Sequence, residues 1–238
     1  MSLPDGVQVL ADLPLAIDPD EVLRFQGYKR GRDVPGADVR ALFDVALAEG
    51  RRLMAPRAVI RWMPVTRVTD DALDVDGATL HIPRIGRLWG EVDHAAVALC
   101  TIGEALEQRV TELWDARELP LASMLDSVGS GAVESLAEYV NDVLCQHGLP
   151  SLRVTNRISP GYADWDVAEQ RALFALCPGT PIGLALNAAC VMTPGKSISL
   201  LVGAGRAANV DHYFSQCARC WMVGCAYRRA PAALTVHR

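Results

Sequence analysis

Hydrophobic side chains recur at helical spacing in some stretches of the chain and alternate with polar ones in others, with turn residues marking the boundaries. "DPDEVLRFQGY" predicts a short helix opened by acidic capping residues, and "GADVRALFDVALAEGRRLM" predicts a longer one that ends before Pro56. "AVIRWMPVTRV" is rich in β-branched residues. In "DALDVDGATLHIP" the pair Asp76-Gly77 separates two alternating runs, the signature of a β-hairpin. "HAAVALCTIG" predicts a buried strand that leads into a helix from about Glu104 to Trp114, and a further helical region runs from about Pro120 to Cys145. "DVAEQRALFALC" predicts a compact amphipathic helix with Asp166 as N-cap. The apolar segments on either side of Thr193-Pro194-Gly195-Lys196 are most simply two strands joined by a turn. Strands and helices are mixed without regular βαβ alternation, which predicts an α+β fold with a mixed or antiparallel sheet and flanking helices.

Composition narrows this picture. Half of the residues are hydrophobic and about a fifth are charged, so the chain can bury a real core. The net charge of -5 gives no electrostatic basis for nucleic acid or an anionic membrane as partner. No apolar run reaches the roughly 18 residues of a membrane span, and the first residues lack the pattern of a signal peptide. A cytoplasmic protein is the expectation. The 7 cysteines are an odd number in a chain too large to need disulfide staples.

Two glycine-containing segments imitate phosphate-binding loops. "GAGRAA" at 203–208 follows an apolar strand, but a cysteine cluster and the chain end stand where a dinucleotide fingerprint needs a helix, a second parallel strand and an acidic residue. "TPGKS" has Cys190 where a mononucleotide loop needs its first glycine. The five histidines match no metal-ligand motif, and no serine or cysteine nucleophile with a base stands out. "CARCWMVGC" is different: Cys217, Cys220 and Cys225 have spacing that lets three thiolates reach one metal, with one position left for another ligand. An iron-sulfur cluster, a zinc ion completed by a further residue, and three buried thiols without metal all fit that spacing.

"RISPGYADWD" at 157–166 carries the densest chemistry. Pro160 and Gly161 predict the centre of a type II turn, with Gly161 at positive φ, and the turn fixes where Arg157 and Tyr162 point. Upstream, "DSVGSGAVESLAEYV" concentrates the small residues Ser127, Gly129, Ser130, Gly131 and Ala132, where another backbone or a ligand can approach closely.

Taken together, "RISPGYADW", "AEQRALFAL" and "GLALNAACVMTPGKSISLLVGAG" resemble the activation (reactivation) domain of cobalamin-dependent methionine synthase, in its stand-alone form. The shared pattern is R-x-x-P-G-Y at Arg157, Pro160, Gly161 and Tyr162, then a helix, then a strand and M-x-P-G-x-S-x-S at Met192, Pro194, Gly195, Ser197 and Ser199. The resemblance is convincing from about Ser127 to Gly205. It implies three parts: helices and a hairpin at 1–90, an S-adenosylmethionine-binding core at 91–210, and a cysteine-containing segment at 211–238. It also implies S-adenosylmethionine binding in support of reductive methylation of an oxidised cobalamin, carried by a corrinoid methyltransferase partner. The electron comes from a separate donor such as flavodoxin or ferredoxin. By the same resemblance, Arg157 meets the ligand carboxylate, the backbone at Ile158 and the ring of Tyr162 lie along the ligand, Glu134 is a ligand-contacting glutamate, and Tyr213 is a looser match.

There are departures. The D-W-T-P-F-F type segment of the long enzymes has no counterpart, and Cys217, Cys220 and Cys225 are absent from those enzymes. Two readings follow: a reactivation protein for a corrinoid methyltransferase, or an iron-sulfur electron-transfer or zinc-stabilised interaction protein whose ligand site is vestigial.

Overall fold

The computed structural model describes residues 3–211. In chain order these form β1 (Val7–Ala11), α1 (Pro19–Phe25), α2 (Ala37–Leu53), β2 (Arg57–Val68), β3 (Ala72–Val75), β4 (Ala78–His81), α3 (Ile85–Trp89) and β5 (His94–Thr101). There follow α4 (Ala105–Asp115), α5 (Leu119–Gly148), β6 (Arg153–Val154), α6 (Gln170–Leu176), β7 (Ala185–Leu186), β8 (Met192–Thr193) and β9 (Ser197–Gly205). The main sheet runs β4-β3-β2-β5-β9-β6, with β1 beside the first half of β2, and every ladder in it is antiparallel. An α+β fold with an antiparallel sheet is what the mixed pattern predicts. The Asp76-Gly77 hairpin joins β3 to β4 with both residues at positive φ, as their types favour. Among the described residues no helix is long and apolar enough to cross a membrane.

β5 is buried along nearly its whole length, and its continuous apolar run has a simple cause: both faces of the sheet are covered. Ala96, Ala98 and Cys100 join a core with α1, α2, α4 and α5, while Ala95, Val97 and Leu99 join a second core with α3, α6 and the β3–β4 hairpin. β2, from the first 90 residues, lies between β3 and β5, so one sheet draws on the chain from Val7 to Gly205.

α5 has 30 residues, about 45 Å of helix, and spans the first core. Its small residues answer the question of what comes close. A β-carbon on Gly129 would stand 2.8 Å from Leu106 of α4, and one on Gly131 would stand 2.8 Å from Val22 of α1. Ser127 accepts a hydrogen bond of 2.7 Å from Gln26 Nε2. Two helices, α1 and α4, thus seat themselves on the small-residue stretch, and helix packing accounts for it.

The segments around Thr193–Lys196 differ from expectation. They do not form two paired strands joined by that turn. β7 and β8 pair with each other in a separate two-stranded ribbon, and β9 pairs with β5 and β6. The reversal occurs earlier because Asn187 Oδ1 accepts from the amides of Ala189 and Val191, closing the turn between β7 and β8. The Gly195 and Lys196 amides then donate to the Glu107 carboxylate, so the "TPGKS" turn is occupied by a side chain of α4. "DVAEQRALFALC" begins as a 3-10 turn at Val167–Glu169 before becoming α6, with Asp166 capping the Ala168 amide at 2.9 Å as expected.

The glycines of "GAGRAA" serve packing. A β-carbon on Gly203 would lie 2.7 Å from the ring of Trp89, which is 1% exposed and cannot retreat. Gly203→Ala is therefore expected to cost about 1–3 kcal/mol by overpacking, read from the midpoint of urea unfolding.

A second expectation concerns pH. Trp62 Nε1 donates to His147 Nδ1 at 3.2 Å, a bond that needs the neutral ring on the acceptor side. Burial pushes His147 below its ordinary value of 6.5. The folded state thus binds this proton less readily than the unfolded chain, so the contribution is present above about pH 6.5 and is lost as pH falls through the lowered folded value. The melting-temperature difference between wild type and His147→Asn should shrink on acidification across that window.

Candidate functional site

The outer edge of β9 organises the candidate site. After β6 the chain continues along that edge: Thr155 N donates to Gly203 O at 2.9 Å, and Ile158 and Leu201 exchange bonds of 3.0 and 2.8 Å. Side chains of an extended segment alternate between faces. Ile158 therefore turns into the second core while Arg157 turns toward α5.

Arg157 meets two carboxylates there, Glu138 Oε1 at 2.8 Å and Glu134 Oε2 at 3.4 Å. Glu134 and Glu138 are four residues apart on α5, hence on one face of the helix. The guanidinium side chain is 14% exposed, against 19% for Glu134 and 63% for Glu138. Burial opposes the charge on Arg157, but the two glutamates outweigh it and hold its pKa above the ordinary value. The result is a cation and two anions presented together at a sheet edge, a set suited to a ligand that carries both signs of charge.

The bend beyond Arg157 has the predicted geometry. Tyr162 N donates to Ser159 O at 3.3 Å and Gly161 takes φ +86°, which only glycine adopts without strain. Gly161 N and Trp165 N close the loop on Trp165 O and Tyr162 O. Tyr162, 43% exposed, lines a small cavity open to solvent with Ile82, Pro83, Leu88, Ile158 and Trp165. Arg84 and Asp164 form an ion pair that joins the two walls. Ser159 Oγ and Trp165 Nε1, on residues that also line the cavity, are buried and have no hydrogen-bond partner among the described residues.

Among the residues singled out in the sequence, Arg157 and Glu134 are brought into contact. Ile158 stands next to them with its amide and carbonyl both engaged by Leu201, so the outward-facing backbone groups of this edge belong to its neighbours. Tyr162 faces the cavity rather than the ion pair. Tyr213 and the trio Cys217, Cys220 and Cys225 lie outside the described residues. Among the described residues no group of three or more His, Cys, Asp or Glu side chains could hold a metal. The cysteines described are free, and burial pushes Cys100 and Cys177 up to about 12, which suits inert core thiols.

Sequence reading missed Glu138, Arg84 and Asp164. The i, i+4 spacing from Glu134 could have revealed Glu138. Nothing local joins Arg84 to a loop 80 residues away.

Replacing both carboxylates, Glu134→Gln with Glu138→Gln, leaves Arg157 without a counter-charge and is expected to cost about 3 kcal/mol. Glu138→Gln alone should change little, because that carboxylate is well exposed and Glu134 remains. Chemical denaturation of the three proteins checks both.

No protein-family model and no curated protein sequence matches this chain. Solved structures do. The crystal structure of the MetH reactivation domain bound to AdoHcy superimposes with a TM-score of 0.64 at 17% sequence identity, covering 89% of this chain and 81% of that one. The chain therefore carries the α+β fold of the MetH reactivation domain, as the resemblance of its motifs implied.

Proposed function

We propose that this protein binds S-adenosylmethionine and supports the reductive methylation that returns an oxidised corrinoid to its active state on a separate methyltransferase protein, methionine synthase chemistry being the form that the resemblance implies. The observation that carries the reading is the contact of Arg157 with Glu134 and Glu138 at the edge of β9, beside the turn that presents Tyr162. S-adenosylmethionine has a carboxylate, an ammonium and a sulfonium. A guanidinium fork suits the first, and the glutamates suit the cationic groups. The residues present thus fit the ligand, and the fold shared with a domain bound to AdoHcy supports the choice.

Bound there, the ligand would supply a methyl group. The protein's part is to hold it: Arg157 by the carboxylate, Glu134 beside the ammonium, and Tyr162 along the cavity that continues from the turn. Tyr213 is proposed as a further contact by resemblance alone. Two hydrogen bonds of 2.9 Å between Asn156 and Asp211 support that assignment, since they bring the chain next to Arg157 two residues before Tyr213. A metal or iron-sulfur cluster on Cys217, Cys220 and Cys225 is proposed from their spacing alone, and iron, sulfide and zinc analysis after anaerobic purification would detect it. The electron itself is assigned to an external flavodoxin- or ferredoxin-like donor.

Calorimetric titration tests the binding reading. Losing one member of a buried charged set costs on the order of 2–5 kcal/mol, so Arg157→Ala should bind S-adenosylmethionine at least about thirtyfold more weakly than wild type. Equal affinity would remove Arg157 from the site. The role in reactivation is checked separately by mixing protein, S-adenosylmethionine, a reductant and a Co(II) corrinoid protein, and following methylcobalamin by its absorption.

A further inference from the structure

Arginines that reach into the second core or the sheet edge have acceptors. Arg61 pairs with Asp76 at 2.6 Å and donates to Leu176 O at 2.7 Å, and Arg157 has its two glutamates. Arg57 differs. It is half-buried at the start of β2, its Nε is shut away from solvent, and among the described residues it has no hydrogen-bond partner and no carboxylate pairs with it. A guanidinium nitrogen desolvated without an acceptor is costly, and native proteins rarely leave one so.

Among the described residues, none of those around the guanidinium bonds to it. Arg57 stands in register with Thr101 of β5, which stands in register with Ser197 of β9, forming one polar row across three strands. Ser197 Oγ lies within hydrogen-bond distance of both Thr101 Oγ1, at 2.9 Å, and Pro194 O, at 2.7 Å, and among the described residues neither hydroxyl bonds to Arg57. Around the fork stand two glycines at positive φ, Gly103 (+83°) and Gly183 (+72°). A β-carbon on Gly103 would come 3.8 Å from Nη2, and one on Gly183 would come 4.0 Å from both Nη atoms. Neither residue places a side chain in that space.

We infer that Arg57, flanked by Gly103 and Gly183, is a receptor for an oxyanion, a phosphate or carboxylate group of a ligand or partner, at a place separate from the Arg157 site. A planar fork whose Nη donors no described residue engages can hold two oxygens of such a group at once, and the anion compensates the charge whose Nε is already desolvated. This site uses none of the residues assigned to S-adenosylmethionine, so it stands or falls independently of that reading.

The test uses inorganic phosphate as probe, with acetate as a second arm, at constant ionic strength. Phosphate at about ten times its half-saturating concentration should raise the melting temperature of wild type by about 3 °C more than that of Arg57→Gln. The Nε–H resonance of Arg57 should shift saturably over the same range. Arg157→Ala should keep the full response, which separates the two arginines. A response to acetate as large as that to phosphate assigns the site to carboxylates, and a larger phosphate response assigns it to phosphate groups. Equal stabilisation of wild type and Arg57→Gln, or an Nε–H resonance that does not move, would overturn the proposal. If Arg57→Gln fails to fold, the resonance titration on wild type decides alone.

Discussion

Everything that positions the candidate site depends on the central ladder in which β5 hydrogen-bonds to β2 on one side and to β9 on the other, eight register pairs each way. A strand paired on both edges and covered on both faces has no freedom to shift, because a slip of one residue would exchange its two apolar faces and leave small and large side chains in the wrong core. β9 inherits that register. Its outer edge then sets where Thr155 and Ile158 attach, and through them where Arg157 and the bend at Gly161 are held.

The helical layer is fixed by close approach rather than by bulk. α5 meets α1, α2 and α4 at positions where a side chain larger than hydrogen or hydroxymethyl would collide, and this brings Glu134 and Glu138 to a defined height above the sheet edge. Two rigid parts, a strand edge and a long helix, thus carry the opposite charges of the site. Their geometry is set by the packing of both cores before any ligand arrives, the arrangement that lowers the entropic cost of binding.

Charge is distributed unevenly among the buried polar groups. Arg157 and Arg61 are compensated within the protein, whereas Arg57, Ser159 and Trp165 keep polar atoms that the described residues leave unpaired. The unpaired groups lie on the second-core side of the sheet, where the covering layer is made of short helices, tight turns and a two-residue ribbon.

Local patterns were enough for most elements. The helical periodicity from about Glu104 to Trp114 and from about Pro120 to Cys145, the Asp76-Gly77 hairpin, the Asp166 cap and the Gly161 bend all follow from interactions within a few residues, and the structure has each of them at or within a few residues of those positions. The motif around Arg157 was legible for the same reason, since Pro160 and Gly161 shape their own backbone. Pairing across long separations was not legible. That β8 turns back on β7 while β9 joins β5, that Glu138 shares Arg157 with Glu134, that Arg84 reaches Asp164, and that no described residue supplies Arg57 with a counter-charge are decided by which surfaces meet in three dimensions. A residue's neighbours in the chain determine its backbone angles, but its partners in charge and hydrogen bonding are chosen by the packing of the whole.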